Sequence, residues 1–270
     1  MSVRVRWLGH ATVVLDVGDV RLVTDPLLRR HAGVLRRVGG RAPVAADWRG
    51  ADAALVSHLH HDHAELGSLR MLGPVPVLAA PSSARWLSEH GLHGVGLADD
   101  TWTTLPGGGR APGAGETGDG VRVRTVPAEH GHRPMPHRPN VATGFVVRGA
   151  GTTVWFAGDT GPFPGLARVP ELAGAPVDVA LVPVGGWGPR LSGGHLDPAQ
   201  AARVCALVGA RVAVPVHWGT LHAPASRRLP PGWMDRAGRA FEAAAHREAP
   251  DVEVRVLVPG EATQVGRGGV

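Results

Sequence analysis

The chain has no lysine, no isoleucine and no tyrosine, and only one cysteine. A single thiol excludes an intramolecular disulfide framework and a cysteine-based zinc knuckle. Cys205 lies among Ala201, Val204 and Val208, which fits a buried structural thiol. No apolar run approaches the ~20 residues of a membrane-spanning helix. The opening residues 2–7 alternate apolar side chains with arginine and carry no signal-peptide core. The expectation is a soluble cytoplasmic protein with no membrane span. Strong net charge is lacking too: 28 basic and 23 acidic residues leave +5 over 270 residues. The isoelectric point is still about 11.1, because every basic residue is arginine and little titrates before the guanidinium groups do. Such a surplus raises the isoelectric point without creating a strong field at pH 7. It fits GC-rich coding bias, with its abundant Ala, Gly, Arg and Pro, and no nucleic-acid partner is expected.

With 43% hydrophobic and 19% charged residues, the composition is that of a globular protein, read as one domain over residues 1–270. Residues 3–7, 12–17 and 20–24 alternate as strands, the last two flanking a Gly18-Asp19 turn. Short apolar runs follow at 51–56 and 75–80, after which Ser82 or Ser83 caps a helix that Gly91 ends. Residues 106–120 form a Gly/Pro-rich loop, and 133–139 hold three prolines and form a stiff one. Residues 121–126, 152–157, 177–184 and 211–216 read as further strands. Asp197-Pro198 opens a helix that Gly209 closes, and a helix over 233–249 precedes a final strand at 252–258. Strands then helix, twice, predict an α/β (α+β) chain with sheets covered by helices. The 106–120 loop is not a domain boundary, because the chemically distinctive residues lie on both sides of it.

What the chain has in excess is histidine, fifteen in all. Residues 57–63 read Ser-His-Leu-His-His-Asp-His and follow the 51–56 run directly. His58 and His60, two apart in extended chain, can face the same way. Asp62 and His63 are expected to begin the next helix and turn toward a neighbouring point. Zn²⁺ favours imidazole nitrogen and carboxylate oxygen at about 2.0–2.2 Å, and two ions need more donors than this loop supplies. Three further strand candidates end at His130, Asp159 and His217. The C-terminal ends of strands are where α/β sheets place their sites. Any one of these histidines read alone is a surface or hydrogen-bonded core residue; four strand ends converging argue for a site.

The HLHHDH run, followed by a lone His, GDTG and HWGT, resembles the metallo-β-lactamase superfamily. WLGHATVVLD, TDP, VPAEH, WFAGDTG, LVPVGGWGPR, GGHLDPAQA and PVHWGT extend the resemblance over nearly the whole chain. They point to the branch containing N-acylphosphatidylethanolamine phospholipase D and ascorbate-6-phosphate lactonase. The resemblance implies a four-layer αββα sandwich and two metal ions. One is held by His58, His60 and His130, the second by Asp62, His63 and His217, with Asp159 bridging. It implies Zn²⁺, with Mn²⁺ or another divalent ion as the alternative, since a His rather than a Glu stands at position 60. The extra Cys ligand of one β-lactamase group is missing, which counts against antibiotic hydrolysis.

The implied activity is hydrolysis of an ester-type bond, a phosphodiester or a lactone, by a hydroxide shared between two ions. Asp62 is expected to orient that hydroxide, and His195, in the GGHLDP stretch, to contact the substrate or protonate the leaving group. Asp25 either orients a ligand histidine or caps the turn before Pro26. His10 occupies the GHAT position, His61 is expected to point away from the metals, and His132, Arg133 and His222 are weaker candidates. Arg29, Arg30, Arg36, Arg37 and Arg41 form either a solvated face or, with Arg190, a lean toward a small anionic substrate. Oligomeric state is not legible. A nuclease of the same superfamily would need a nucleic-acid-binding appendage for which the chain has no spare length. A non-catalytic metal-binding protein would have lost ligands that are all present here.

Overall fold

The computed structural model describes residues 2–106, 120–131, 137–191, 193–224 and 232–266. The amino-terminal half contains β1 (Ser2–Gly9), β2 (Thr12–Val17), β3 (Val20–Thr24), β4 (His31–Ala32), β5 (Leu35–Arg37) and α1 (Ala45–Trp48). It continues with β6 (Ala53–Leu55), α2 (Leu66–Met71), β7 (Pro76–Ala79), α3 (Pro81–Glu89) and β8 (His93–Gly96). The carboxy-terminal half opens with β9 (Thr103–Thr104), β10 (Arg122–Pro127), β11 (Thr143–Gly149), β12 (Thr152–Phe156), α4 (Val169–Ala173) and β13 (Val179–Pro183). It closes with α5 (Pro198–Leu207), β14 (Val212–Val216), β15 (Leu221–His222), α6 (Trp233–Glu248), β16 (Glu253–Val254) and β17 (Ala262–Gly266). Among the described residues no helix is long and apolar enough to cross a membrane.

Two seven-stranded sheets result, ordered β17-β1-β2-β3-β6-β7-β8 and β16-β14-β13-β12-β11-β10-β9, with a small third sheet of β15-β5-β4. The period-2 alternation of strands decides what packs where. In β1, Val3 and Val5 meet Leu15 and Leu22 of the same sheet and Phe145, Phe156 and Leu181 of the other, forming the central core. In β12, Val154 and Phe156 face that core while Trp155, between them, faces Cys205, Phe241 and Ala245 on α5 and α6. On the opposite outer face, Leu69 and Leu87 of α2 and α3 cover Val77 and Ala79. Helix, sheet, sheet, helix is the αββα sandwich expected from the resemblance.

Several expectations shift by local chemistry. Pro81 stands at N1 of α3, with Ala80 in the capping position, so Ser82 and Ser83 lie inside the helix; a proline already set at the helical φ starts it instead. Asp62 and His63 sit in a turn before α2, which begins at Leu66 because the Glu65 side chain accepts hydrogen bonds from the Gly67 and Ser68 amides. Of the final strand at 252–258 only β16 pairs, on β14, while the unexpected β17 pairs antiparallel with β1. β11 carries no alternation because its first five residues are buried. Most of the 106–120 loop, together with His132 and Arg133, lies outside the described residues.

The basic run is divided between surface and interior. Arg29, Arg30 and Arg36 are exposed, and Arg41 joins Arg6 in pairing with Asp47. Arg37 is buried, donating from Nη1 to the Leu8 carbonyl at 2.9 Å and from Nη2 to the Leu27 carbonyl at 2.8 Å. Burial pushes its guanidinium down to about 10. It clamps β5 to β1 and to the loop after β3 and does not capture an anion.

Candidate metal centre

Six strands point their C-terminal ends at one place. β1 runs parallel to β3 through the intervening antiparallel β2, β3 is parallel to β6, and β10, β12 and β14 share a direction by the same bookkeeping. Within three residues of its end, each delivers a polar side chain: His10, Asp25, His58, His130, Asp159 and His217. Glycine makes two of these approaches possible. A Cβ on Gly158, at φ +62°, would meet the Ser57 side chain at 2.7 Å, and one on Gly194, at φ +84°, would collide with the Gly131 amide. Gly158 lets Asp159 close on the site, and Gly194 places its carbonyl 2.9 Å from His130 Nδ1.

The seven expected ligands are brought together in two adjoining groups. His63 Nε2, His217 Nε2 and Asp159 Oδ2 form a triangle with edges of 3.1, 3.1 and 3.2 Å. Asp62 Oδ2 lies 3.6 Å from His63 Nε2 and 3.9 Å from His217 Nε2. Beside them, His130 Nε2 is 3.2 Å from His60 Nδ1, and the His58 ring lies 4.5 and 4.8 Å from those of His60 and His130. His195 Nε2 approaches Asp159 Oδ2 at 3.4 Å.

The opposite ring nitrogens are held from behind. His63 Nδ1 meets Asp25 Oδ2 at 2.7 Å, His217 Nδ1 the Gly185 carbonyl at 2.9 Å, and His58 Nδ1 the Ser57 hydroxyl at 3.0 Å. Such partners fix each tautomer so that the free nitrogen faces the cluster. Asp25 therefore orients a histidine, the first of its two expected roles. It accepts from the Ser57 amide and hydroxyl as well.

These donors fit a divalent metal. Donors around a tetrahedral zinc stand roughly 3.4 Å apart, close to the spacings of the triangle. His58 Nε2 and Asp159 Oδ1 are buried without a hydrogen-bond partner among the described residues, a costly state unless a ligand satisfies them. Burial lowers the pKa of His58, His60 (to about 4) and His130, leaving neutral imidazoles with lone pairs to donate. Burial opposes ionisation of Asp62 and Asp159, but His63 beside the first and His217 beside the second hold both well below the usual carboxylate range. Three carboxylates, Asp159, Asp62 and Asp25, outweigh burial at His63 and drive its pKa well up. A site that draws a proton onto a buried histidine is one where a cation is favoured.

The model for the Beta-lactamase superfamily domain matches residues 20–218. The chain belongs to the metallo-β-lactamase superfamily. This superfamily member is 31% identical over 228 residues to an N-acyl-phosphatidylethanolamine-hydrolyzing phospholipase D of Caenorhabditis elegans, covering 79% of the chain but 63% of that longer relative. It is 30% identical over 272 residues to a metal-dependent hydrolase of Deinococcus radiodurans, covering 97% of one and 99% of the other. A solved metallo hydrolase of Ignicoccus hospitalis superposes with a TM-score of 0.73 at 22% identity, over 99% of this chain and 100% of that one, a likeness of fold. The metallo-β-lactamase-fold chain is thus a metal-dependent hydrolase.

His10 is the functional residue that sequence reasoning left without a role. It is wholly buried, and burial followed by the nearby His217 takes its pKa down to about 3. The ring is therefore neutral and its Nε2 donates to Asp62 Oδ2 at 2.9 Å. The strand-end rule that singled out His217 applies equally to His10, which directly follows β1. His61 is exposed, and His222 lies buried in β15 with Nδ1 2.6 Å from the Ala223 carbonyl, apart from the metal-binding groups.

Proposed function

We propose that this hydrolase is a single domain over residues 1–270 working with two Zn²⁺ ions, Mn²⁺ or another divalent ion being the alternative. Its proposed target is an ester-type bond, a phosphodiester or a lactone, in a small molecule. The observation that carries the reading is the doubled donor set sharing Asp159: His58, His60 and His130 on one side, Asp62, His63 and His217 on the other. Bound there, the ions would supply Lewis acidity toward the scissile group and bring the pKa of a water near neutrality.

The chain's own residues do the rest. Asp62, kept ionised and pinned by His10, accepts a hydrogen bond from the attacking water and sets its direction. His195 is half-buried beside Asp159, placed to stabilise charge on the substrate or hand a proton to the leaving oxygen. Buried Asp25 and the Gly185 and Gly194 carbonyls keep His63, His217 and His130 from turning. None of the five arginines of the basic run lines the cleft at this centre. A preference for an anionic substrate therefore rests on the ions themselves. Metal analysis of the purified protein, run beside turnover of bis(p-nitrophenyl) phosphate and γ-butyrolactone, tests the reading. Close to two ions per chain and turnover of either ester are expected. Absence of metal with no uptake on reconstitution would sink it.

A further inference from the structure

A cleft of about 350 Å³ opens onto the metal centre. One side is the donor cluster itself, with His60, Asp159 and His195 at its floor. The other side is apolar: Ala32, Val34 and Leu35 of the β4–β5 hairpin, Trp187 from the loop after β13, and Ala223 just past β15. This wall is built, not incidental. Ala32 and Leu35 are buried in a cluster with Leu27 and Leu221, and Trp187 and Ala223 pack against it. The small sheet, in which Leu221 and His222 pair with Arg37 and Arg36, holds the hairpin in place, and Arg37 locks β5 to the protein beneath. At the hairpin tip Val34 is 78% exposed, a large aliphatic side chain left to water at the mouth of the cleft. Among the described residues the charged or titratable groups lining the cleft are confined to the donor cluster and the adjoining His61.

We propose that this wall selects the substrate: the cleft takes a compact, uncharged alkyl or acyl chain attached next to the scissile bond. The proposal rests on the hydrolytic reading above for which bond is cut, and on the cleft alone for what hangs from it. A pocket at the small end of the usual ligand range, polar at one end and apolar along a rigid side, orients a molecule with one reactive head and one short tail. Burying each methylene of such a tail is worth about fourfold in affinity.

Calorimetric titration of the metal-loaded full chain with neutral N-alkylacetamides, from methyl to octyl, reads the tail without requiring turnover. Affinity should rise about fourfold per methylene and then level off as the cleft fills. Ala223→Phe should bring the plateau to a shorter chain, Trp187→Ala should flatten the slope, and Val34→Ser, at an exposed position, should weaken the longer homologues with folding intact. A flat series in the wild type overturns the proposal, and so does a slope that survives all three substitutions in proteins with native circular dichroism. The kinetic counterpart is a higher kcat/KM for γ-octalactone than for γ-butyrolactone. An intact binding slope with no ester turned over at full metal content would sink the hydrolytic reading and leave the assignment of the cleft standing.

Discussion

His217 donates its backbone N–H to the carbonyl of His10 at 2.8 Å, and the two rings stand 4.0 Å apart between centroids. His10 follows β1 in one sheet and His217 follows β14 in the other, so this bond ties the two sheets at the point where their donors meet. Both residues sit in left-handed backbone, at φ +52° and +63°, a conformation rare outside glycine. Strain of that kind persists only where the surroundings fix it, and it gathers at functional sites.

Loss of the His10 ring should be felt at the metal before it is felt in the fold. Its Nε2 is the donor that pins Asp62, and partners of ligating side chains typically contribute 10–100-fold in metal affinity. His10→Asn, which tolerates the left-handed backbone, should lose about that factor in a chelator-competition titration while keeping native circular dichroism. Unchanged zinc affinity in the folded variant would remove His10 from the site.

Asp159 and Asp25 are both buried carboxylates, yet their neighbours differ. Asp159 lies within 3.1–3.4 Å of ring nitrogens of His63, His195 and His217, whereas Asp25 touches His63 Nδ1 from behind. Asp159→Ala should therefore abolish stoichiometric binding of the second ion. Asp25→Ala should cost about 10–100-fold in affinity. Equal losses in metal content and activity at matched folding would contradict the bridging assignment.

Much of this was legible because strands and ligands share a grammar. Apolar runs such as 152–157 and 211–216 mark inner strands, and a His or Asp just beyond them marks the site edge. β11 was illegible for the converse reason: buried on both faces for most of its length, it shows no alternation. The apolar hairpin wall is not legible because the most visible residues there are arginines, whose solvated-face reading holds for Arg29, Arg30 and Arg36 but not for the buried Arg37. Local sequence cannot show that Arg37 turns inward to two carbonyls while Ala32 and Leu35 face the cleft, since that choice depends on β15, whose Leu221 pairs with Arg37 across 184 positions of the chain. The role of His10 was hidden likewise, because its partner Asp62 lies 52 positions along the chain.

Asp47 supplies a pH-dependent contribution away from the metals. It accepts from Arg41 at 2.8 and 3.0 Å, from Arg6 at 3.0 Å and from the Val44 amide at 2.8 Å. Burial alone would raise its pKa, but the Arg41 and Val44 hydrogen bonds win and lower it. A folded-state pKa below the unfolded value of about 3.9 stabilises the fold above that pH and ceases to do so as pH falls through the folded value. Asp47→Asn should cost about 1–2 kcal/mol in urea unfolding at pH 7, the half-exposed Arg41 being partly screened by solvent. The gap between wild type and variant should narrow as the pH is taken below 4. A gap independent of pH would show that packing, not charge, is what Asn removes.

Substitution of His195 would separate mechanism from metal binding. It sits on the loop between β13 and α5, just before the Asp197 cap. Its ring is half-buried, 4.8 Å from that of His130 and 5.7 Å from that of His217. Its Nε2 reaches the same Asp159 oxygen that His63 and His217 approach, but at the longer distance of 3.4 Å. Six other donors already form two groups around Asp159, and His195 adds a ring that lines the cleft beside them. His195→Ala should keep metal content unchanged and lower kcat/KM by roughly 10²–10⁴-fold, the range of a positioned acid–base or electrostatic group. Metal content and kinetics are to be measured on one preparation. Wild-type turnover at full metal would take His195 out of the mechanism. Loss of an ion would instead make it a ligand, consistent with its grouping with His130 and Asp159, and one of the seven would then have to be released from that role.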